Sequence, residues 1–230
     1  MSTKIGIVSE GVSDRRVLKH IVERYLRDCD VYTIPLKPKV TTKGKQEGFG
    51  TWQGVFDYIS GSDENKLIIE AVNEGCRFVI IQIDTDVCEE YGVDKNPKDS
   101  GQLWAQVKGK LEERIHSDFD KSILLFAICI DELECWLIPF VDKDEVKCNN
   151  TDRCLKILNK NIKSSIGTID KQNKNCTAAQ RVYDTILSKK KKPKDIADCA
   201  QYNYGFQKFI KQLDQVKSTL QKEQTLENGE

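Results

Sequence analysis

The sequence has no long hydrophobic run. Nothing in it approaches the roughly 20 apolar residues that cross a bilayer, so a membrane protein is not expected. The first apolar stretch, residues 5–8, is too short to be the h-region of a signal peptide. Net charge is also absent, because 36 basic residues balance 36 acidic ones. That balance argues against a general nucleic-acid coating protein and leaves room for a local basic face. Zinc-ribbon chemistry finds no support either: the chain has two histidines, and none of its nine cysteines falls in a C-x-x-C pair. The cysteines are therefore expected to be reduced, in a soluble cytoplasmic protein, several of them serving as small core residues. There is no internal repeat and no spacing that points to a Ser/His/Asp or Cys/His triad.

What remains is an alternation of two kinds of segment. Short apolar, β-branched runs at residues 4–9, 31–36, 77–83 and 122–130 read as buried strands. Residues 12–27, 52–59, 64–74 and 102–115 carry apolar side chains at helical spacing, and residues 131–139 begin a helix that Pro139 is expected to end. Strands alternating with helices predict an α/β fold with a mostly parallel, Rossmann-like sheet flanked by helices. Residues 1–140 form that unit. Residues 141–217, with apolar residues mainly at helical spacing, form a C-terminal helical extension packed on it. Residues 218–230 turn polar and read as a flexible tail.

In an open α/β sheet, functional groups collect just beyond the C-terminal ends of the strands. Glu10 follows the first strand, Asp84 and Asp86 follow the third, and Asp131, Glu132 and Glu134 follow the fourth. If those strands are neighbours, the carboxylates converge on one rim and repel one another. A hard divalent cation removes that repulsion, and Mg²⁺ favours oxygen ligands. Glu10, Asp84 and Asp86 are thus candidate metal ligands. Glu10 is also a candidate general acid/base. Glu134 joins the ligand set because it shares a helix face with Asp131. Each group also has an ordinary reading: Asp-x-Asp as a helix cap, Glu10 as a turn residue, and the acids after strand four as first-turn helix residues.

Two segments carry a resemblance to a known superfamily. Ile5-Gly6-Ile7-Val8-Ser9-Glu10-Gly11-Val12-Ser13-Asp14 resembles the first TOPRIM motif, a glutamate after the first strand. Val79-Ile80-Ile81-Gln82-Ile83-Asp84-Thr85-Asp86 resembles the second, Asp-x-Asp after the third strand. The stretch from Asp131 to Leu137 and the stretch from Asn203 to Leu213 are similar to the acidic helix start and the closing helix of small TOPRIM-like proteins related to the OLD nucleases, which often occur in bacterial anti-phage defence. The resemblance implies a Mg²⁺- or Mn²⁺-dependent nuclease acting on DNA or RNA. It carries over Glu10, Asp84, Asp86 and, less directly, Glu134. OLD-type nucleases also use a late lysine near the scissile phosphate; Arg181 and Lys194 are the candidates for that position here. The chain has no Walker A sequence, so an ATPase, if one takes part, is a separate partner within a defence system.

Phosphate contacts are expected from Arg15 and Arg16 on the first helix and from Lys37, Lys39, Lys43 and Lys45 on the glycine-rich segment after strand two. The basic run 189–192 is a further contact patch or simply a solvated helix end. Competing functions are a non-catalytic TOPRIM-like binding module, a sugar-nucleotide transferase holding Mn²⁺ on Asp84 and Asp86, and a phosphatase using Asp84 as nucleophile. The transferase leaves Glu10 without a role. The phosphatase lacks its Ser/Thr and Lys partners.

Overall fold

The computed structural model describes residues 2–38, 51–60, 70–71, 73–95, 99–116, 119–162 and 166–227. Four strands, β1 (Thr3–Val8), β2 (Val31–Lys37), β3 (Phe78–Asp84) and β4 (Leu124–Cys129), form one parallel sheet in the order β2-β1-β3-β4. The α/β class and the parallel sheet match the expectation from sequence. β3 and β4 are apolar almost without interruption because helices cover both faces of the sheet.

Side chains alternate between the two faces. Ile5, Ile7, Ile80, Leu125, Ala127 and Cys129 join one core cluster. Val8, Val79, Ile81, Ile83, Phe126 and Ile128 join the other. The helices divide accordingly. α1 (Val12–Tyr25) and the C-terminal helices cover the first face, while α2 (Trp52–Ser60) and α3 (Ser100–Arg114) cover the second. The C-terminal helices are α4 (Glu134–Val141), α5 (Glu145–Cys148), α6 (Cys154–Asn161), α7 (Thr177–Leu187), α8 (Pro193–Ala200) and α9 (Tyr204–Glu227). The helical extension therefore shares one core with the sheet. Trp136 of α4 anchors that core, stacked on Phe206 of α9 with ring centroids 4.6 Å apart.

Three expectations need correction. Pro139 lies inside α4, which runs on to Val141. Residues 134–140 are all buried, so packing on every side outweighs the one backbone bond that proline removes. The polar stretch from 218 to 227 is helical, as the end of α9, where Leu220 is buried and Glu223 pairs with Arg77. The cysteines are not all free, because Cys135 and Cys154 form a disulfide with Cα atoms 4.9 Å apart. These two residues open α4 and α6, which pack side by side, and that separation lies within the range a disulfide spans. Most of the helix expected at 64–74 falls outside the described residues. Among the described residues, no helix is long and apolar enough to cross a membrane.

Candidate functional site

The chain passes from β1 outward to β2, then crosses back to β3 on β1's other side. The C-terminal ends of β1 and β3 are therefore neighbours at the point where strand order reverses, which is where α/β sheets bind ligands. Glu10 and Asp84 meet there. Glu10 Oε1 accepts the backbone N–H of Asp84 at 2.7 Å. The buried Gln82 side chain joins the two from below: its Oε1 accepts the Glu10 N–H at 3.0 Å, and its Nε2 donates to Asp84 Oδ1 at 2.8 Å. Thr85 locks the β3 end to the β4 end by donating its N–H to the Asp131 carbonyl and accepting the Asp131 N–H on Oγ1, at 2.9 and 2.8 Å. Asp86 lies farther out, its backbone carbonyl accepting Lys95 Nζ at 2.7 Å.

Two groups that the sequence reading did not select complete the cluster. Asp14 is buried on the first turn of α1. Its position four residues after Glu10 was the one available hint. Lys174 lies just before α7, in a polar stretch with no periodicity. It donates to both oxygens of Glu134 at 2.9 Å. Tyr183 donates to Glu134 Oε1 at 2.5 Å, so both Glu134 oxygens are occupied. Glu134 is almost fully buried, and its partners give it a role as the anchor of Lys174 rather than the ligand role expected. Outside this pair, Lys171 joins Glu132 at 2.9 Å and approaches Asp86 at 3.7 Å.

The electrostatics follow from a group of carboxylates gathered near one ammonium, Lys174. Burial, reinforced by Asp14 and Asp86, pushes Glu10 up to about 8 despite the Asp84 amide. Burial and Glu134 push Asp14 up to about 6 against the pull of Lys174. Asp84 is raised well above the carboxylate range by burial, then by Glu10 and Asp14. For Lys174, burial works against the charge, yet Glu134, Asp14 and Asp84 outweigh it and the ammonium is stabilised. Glu10, Asp14, Asp84 and Asp86 offer carboxylate oxygens on this rim, but among the described residues no three of them bring donor atoms within 4.8 Å of one another; the group that does is Asp131, Cys135 and Cys154.

The other predicted residues are placed differently. Arg16 is held on α7, with Nε and Nη2 donating to Asp184 at 2.5 and 2.7 Å and Nη1 to Gln180. Arg15 Nη1 donates to the Pro38 carbonyl at 2.7 Å. Lys37 closes β2, and its carbonyl accepts the Ser9 N–H beside Glu10. Arg181 and Lys194 are exposed on α7 and α8, whereas Lys174 touches the acidic cluster directly. Lys39, Lys43 and Lys45 lie outside the described residues. Lys171, which approaches Asp86, also lines a cavity of 570 Å³ together with Lys156, Lys160, Arg153, the acids Glu132 and Asp170, and the apolar Leu155 and Ile169.

No family model, curated protein or solved structure matches the chain.

Proposed function

We propose that the chain is a divalent-metal-dependent nuclease that hydrolyses phosphodiester bonds of DNA or RNA, in line with the TOPRIM-like order of its motifs. The observation that carries this reading is the direct contact of Glu10 with the Asp84 segment at the switch point of the sheet. The donor set is of the kind Mg²⁺ or Mn²⁺ takes, because it consists of oxygens alone; burial first, and then mutual repulsion, raises the pKa values of Glu10, Asp14 and Asp84, and a bound cation would offset both. Glu10, Asp84 and Asp86 would hold the ion, with Asp14 beside them. Bound there, the ion would neutralise phosphate charge and acidify a water.

The chain's own groups supply the rest. Gln82 orients Glu10 and Asp84 together. Glu134 and Tyr183 hold Lys174 so that its charge faces the carboxylate cluster, where a scissile phosphate would lie. Lys174 thus takes the late-lysine role for which Arg181 and Lys194 were the sequence candidates. The cations around the 570 Å³ cavity that Lys171 lines offer contacts for flanking phosphates. A role in anti-phage defence, and a separate ATPase partner, belong to the same reading and rest on the resemblance alone.

The test is a cleavage assay with double-stranded DNA, single-stranded DNA and RNA in Mg²⁺ or Mn²⁺. Wild type is expected to cut at least one substrate and Asp84→Asn none. Identical behaviour of the two proteins on every substrate contradicts the proposal. Metal binding without any turnover would favour the binding-module alternative.

A further inference from the structure

A second constellation adjoins the carboxylates without sharing a side chain with them. The donor atoms of Asp131, Cys135 and Cys154 all lie within 4.8 Å of one another. Both sulfurs are fully buried, while Asp131 is half-exposed. Cys135 Sγ is 3.9 Å from Asp131 Oδ2.

The surrounding backbone is arranged to hold these atoms together. Asp131 (φ 67°) and Arg153 (φ 52°) both occupy the left-handed region, which residues with a Cβ rarely adopt. Asp131 lies a helical turn before Cys135, and Arg153 lies immediately before Cys154. The reciprocal backbone–side-chain pair with Thr85 fixes Asp131. Asn150 packs against Cys154 Sγ, its Nδ2 at 3.8 Å and its backbone oxygen at 3.5 Å.

We infer that, once the disulfide is reduced, Cys135, Cys154 and Asp131 form a site for one thiolate-preferring divalent cation of the Zn²⁺ class, with a fourth position open on the solvent side of Asp131. Two thiolates and a carboxylate are a soft-to-borderline donor set that favours Zn²⁺ over Mg²⁺. The disulfide and the metal site exclude each other, because both sulfurs serve in each. Opening the disulfide takes two electrons and two protons from a dithiol or phosphine reductant, which becomes a disulfide or, with water, a phosphine oxide. Metal binding then releases the two thiol protons to solvent. Cys135 follows Glu134 directly, so the site lies one residue from the anchor of Lys174.

The test uses Co²⁺ as a spectroscopic probe on the full chain, reduced with a phosphine and desalted without oxygen. The expected result is a near-ultraviolet thiolate–Co²⁺ charge-transfer band that saturates at one equivalent and that Zn²⁺ abolishes. The band should be lost in Cys135→Ser, in Cys154→Ser and in disulfide-oxidised wild type, and unchanged in Asp84→Asn, which separates this site from the proposed nuclease centre. In case the serine variants fail to fold, alkylation of reduced wild type is followed by peptide mass, with the other seven cysteines as internal controls. Zn²⁺ is expected to shield Cys135 and Cys154 alone. Absence of the band in reduced wild type, or alkylation of these two cysteines at the same rate with and without Zn²⁺, overturns the inference.

Discussion

At the scale of single residues, the candidate centre depends on side chains that hold other side chains. Gln82 touches both Glu10 and Asp84 from a fully buried position in β3. Gln82→Leu keeps the volume and removes both bonds, so it is expected to weaken Mn²⁺ affinity about 10–100-fold, the usual cost of losing an outer-shell partner; isothermal calorimetry reads this directly. Lys174→Met removes the only cation bonded to Glu134 among the described contacts. It is expected to reduce cleavage strongly while leaving Mn²⁺ binding in place, which a paired kinetic and calorimetric measurement separates.

The raised carboxylates also set a pH dependence. In the metal-free protein the fold favours neutral Glu10 and Asp14, whose ordinary pKa values of 4.5 and 3.8 rise to about 8 and about 6. Their contribution to stability is complete below the ordinary values and is lost as pH rises through the folded ones. Melting temperature in a chelator should therefore fall between pH 5 and pH 8, by about 2–4 °C for each kcal/mol lost in a chain of this size. Added Mn²⁺ should restore more at pH 8 than at pH 6. A melting temperature that rises across this range contradicts the assignment. That Glu10, Asp84 and Asp86 lie at the ends of β1 and β3 was legible in the sequence, because each follows an apolar run. Lys174 was not, because it lies 40 residues from Glu134 in a segment without a pattern, and only the packing of α7 against α4 brings it in.

At the scale of elements, β4 is an edge strand that α9 covers. Gln212 of α9 accepts the Phe126 N–H at 2.8 Å and donates to its carbonyl at 3.0 Å, standing in for a fifth strand at that point. Gln212→Leu leaves both groups of Phe126 without that partner and is expected to cost about 1–3 kcal/mol in urea unfolding, with metal affinity unchanged. At the start of the same helix, a Cβ on Gly205 would sit 2.1 Å from the Ile128 carbonyl, so α9 could not approach β4 as it does with any larger residue there. The four strands were legible from their apolar runs. The last turns of α9 were not, because beyond 217 the stretch is polar and shows no apolar pattern, though Leu220 is buried and Glu223 pairs with Arg77.

At the scale of the whole molecule, strand order decides the chemistry. The sequence marks which strands end in acids but not which strands lie side by side. The order β2-β1-β3-β4 brings the ends of β1 and β3 together; with a strand inserted between them, Glu10 and Asp84 would be nearly 10 Å apart by ordinary strand spacing and could not share an ion. The helical extension adds Lys174 and Tyr183 to that rim, so the site draws on both parts of the chain. The most direct measurement is a calorimetric titration of Mn²⁺ into the disulfide-oxidised protein, comparing wild type with Glu10→Gln and Asp84→Asn. Saturable binding in wild type that is lost in both variants is the predicted result. Equal Mn²⁺ uptake by all three proteins, or none by wild type, would contradict a cation held between the ends of β1 and β3.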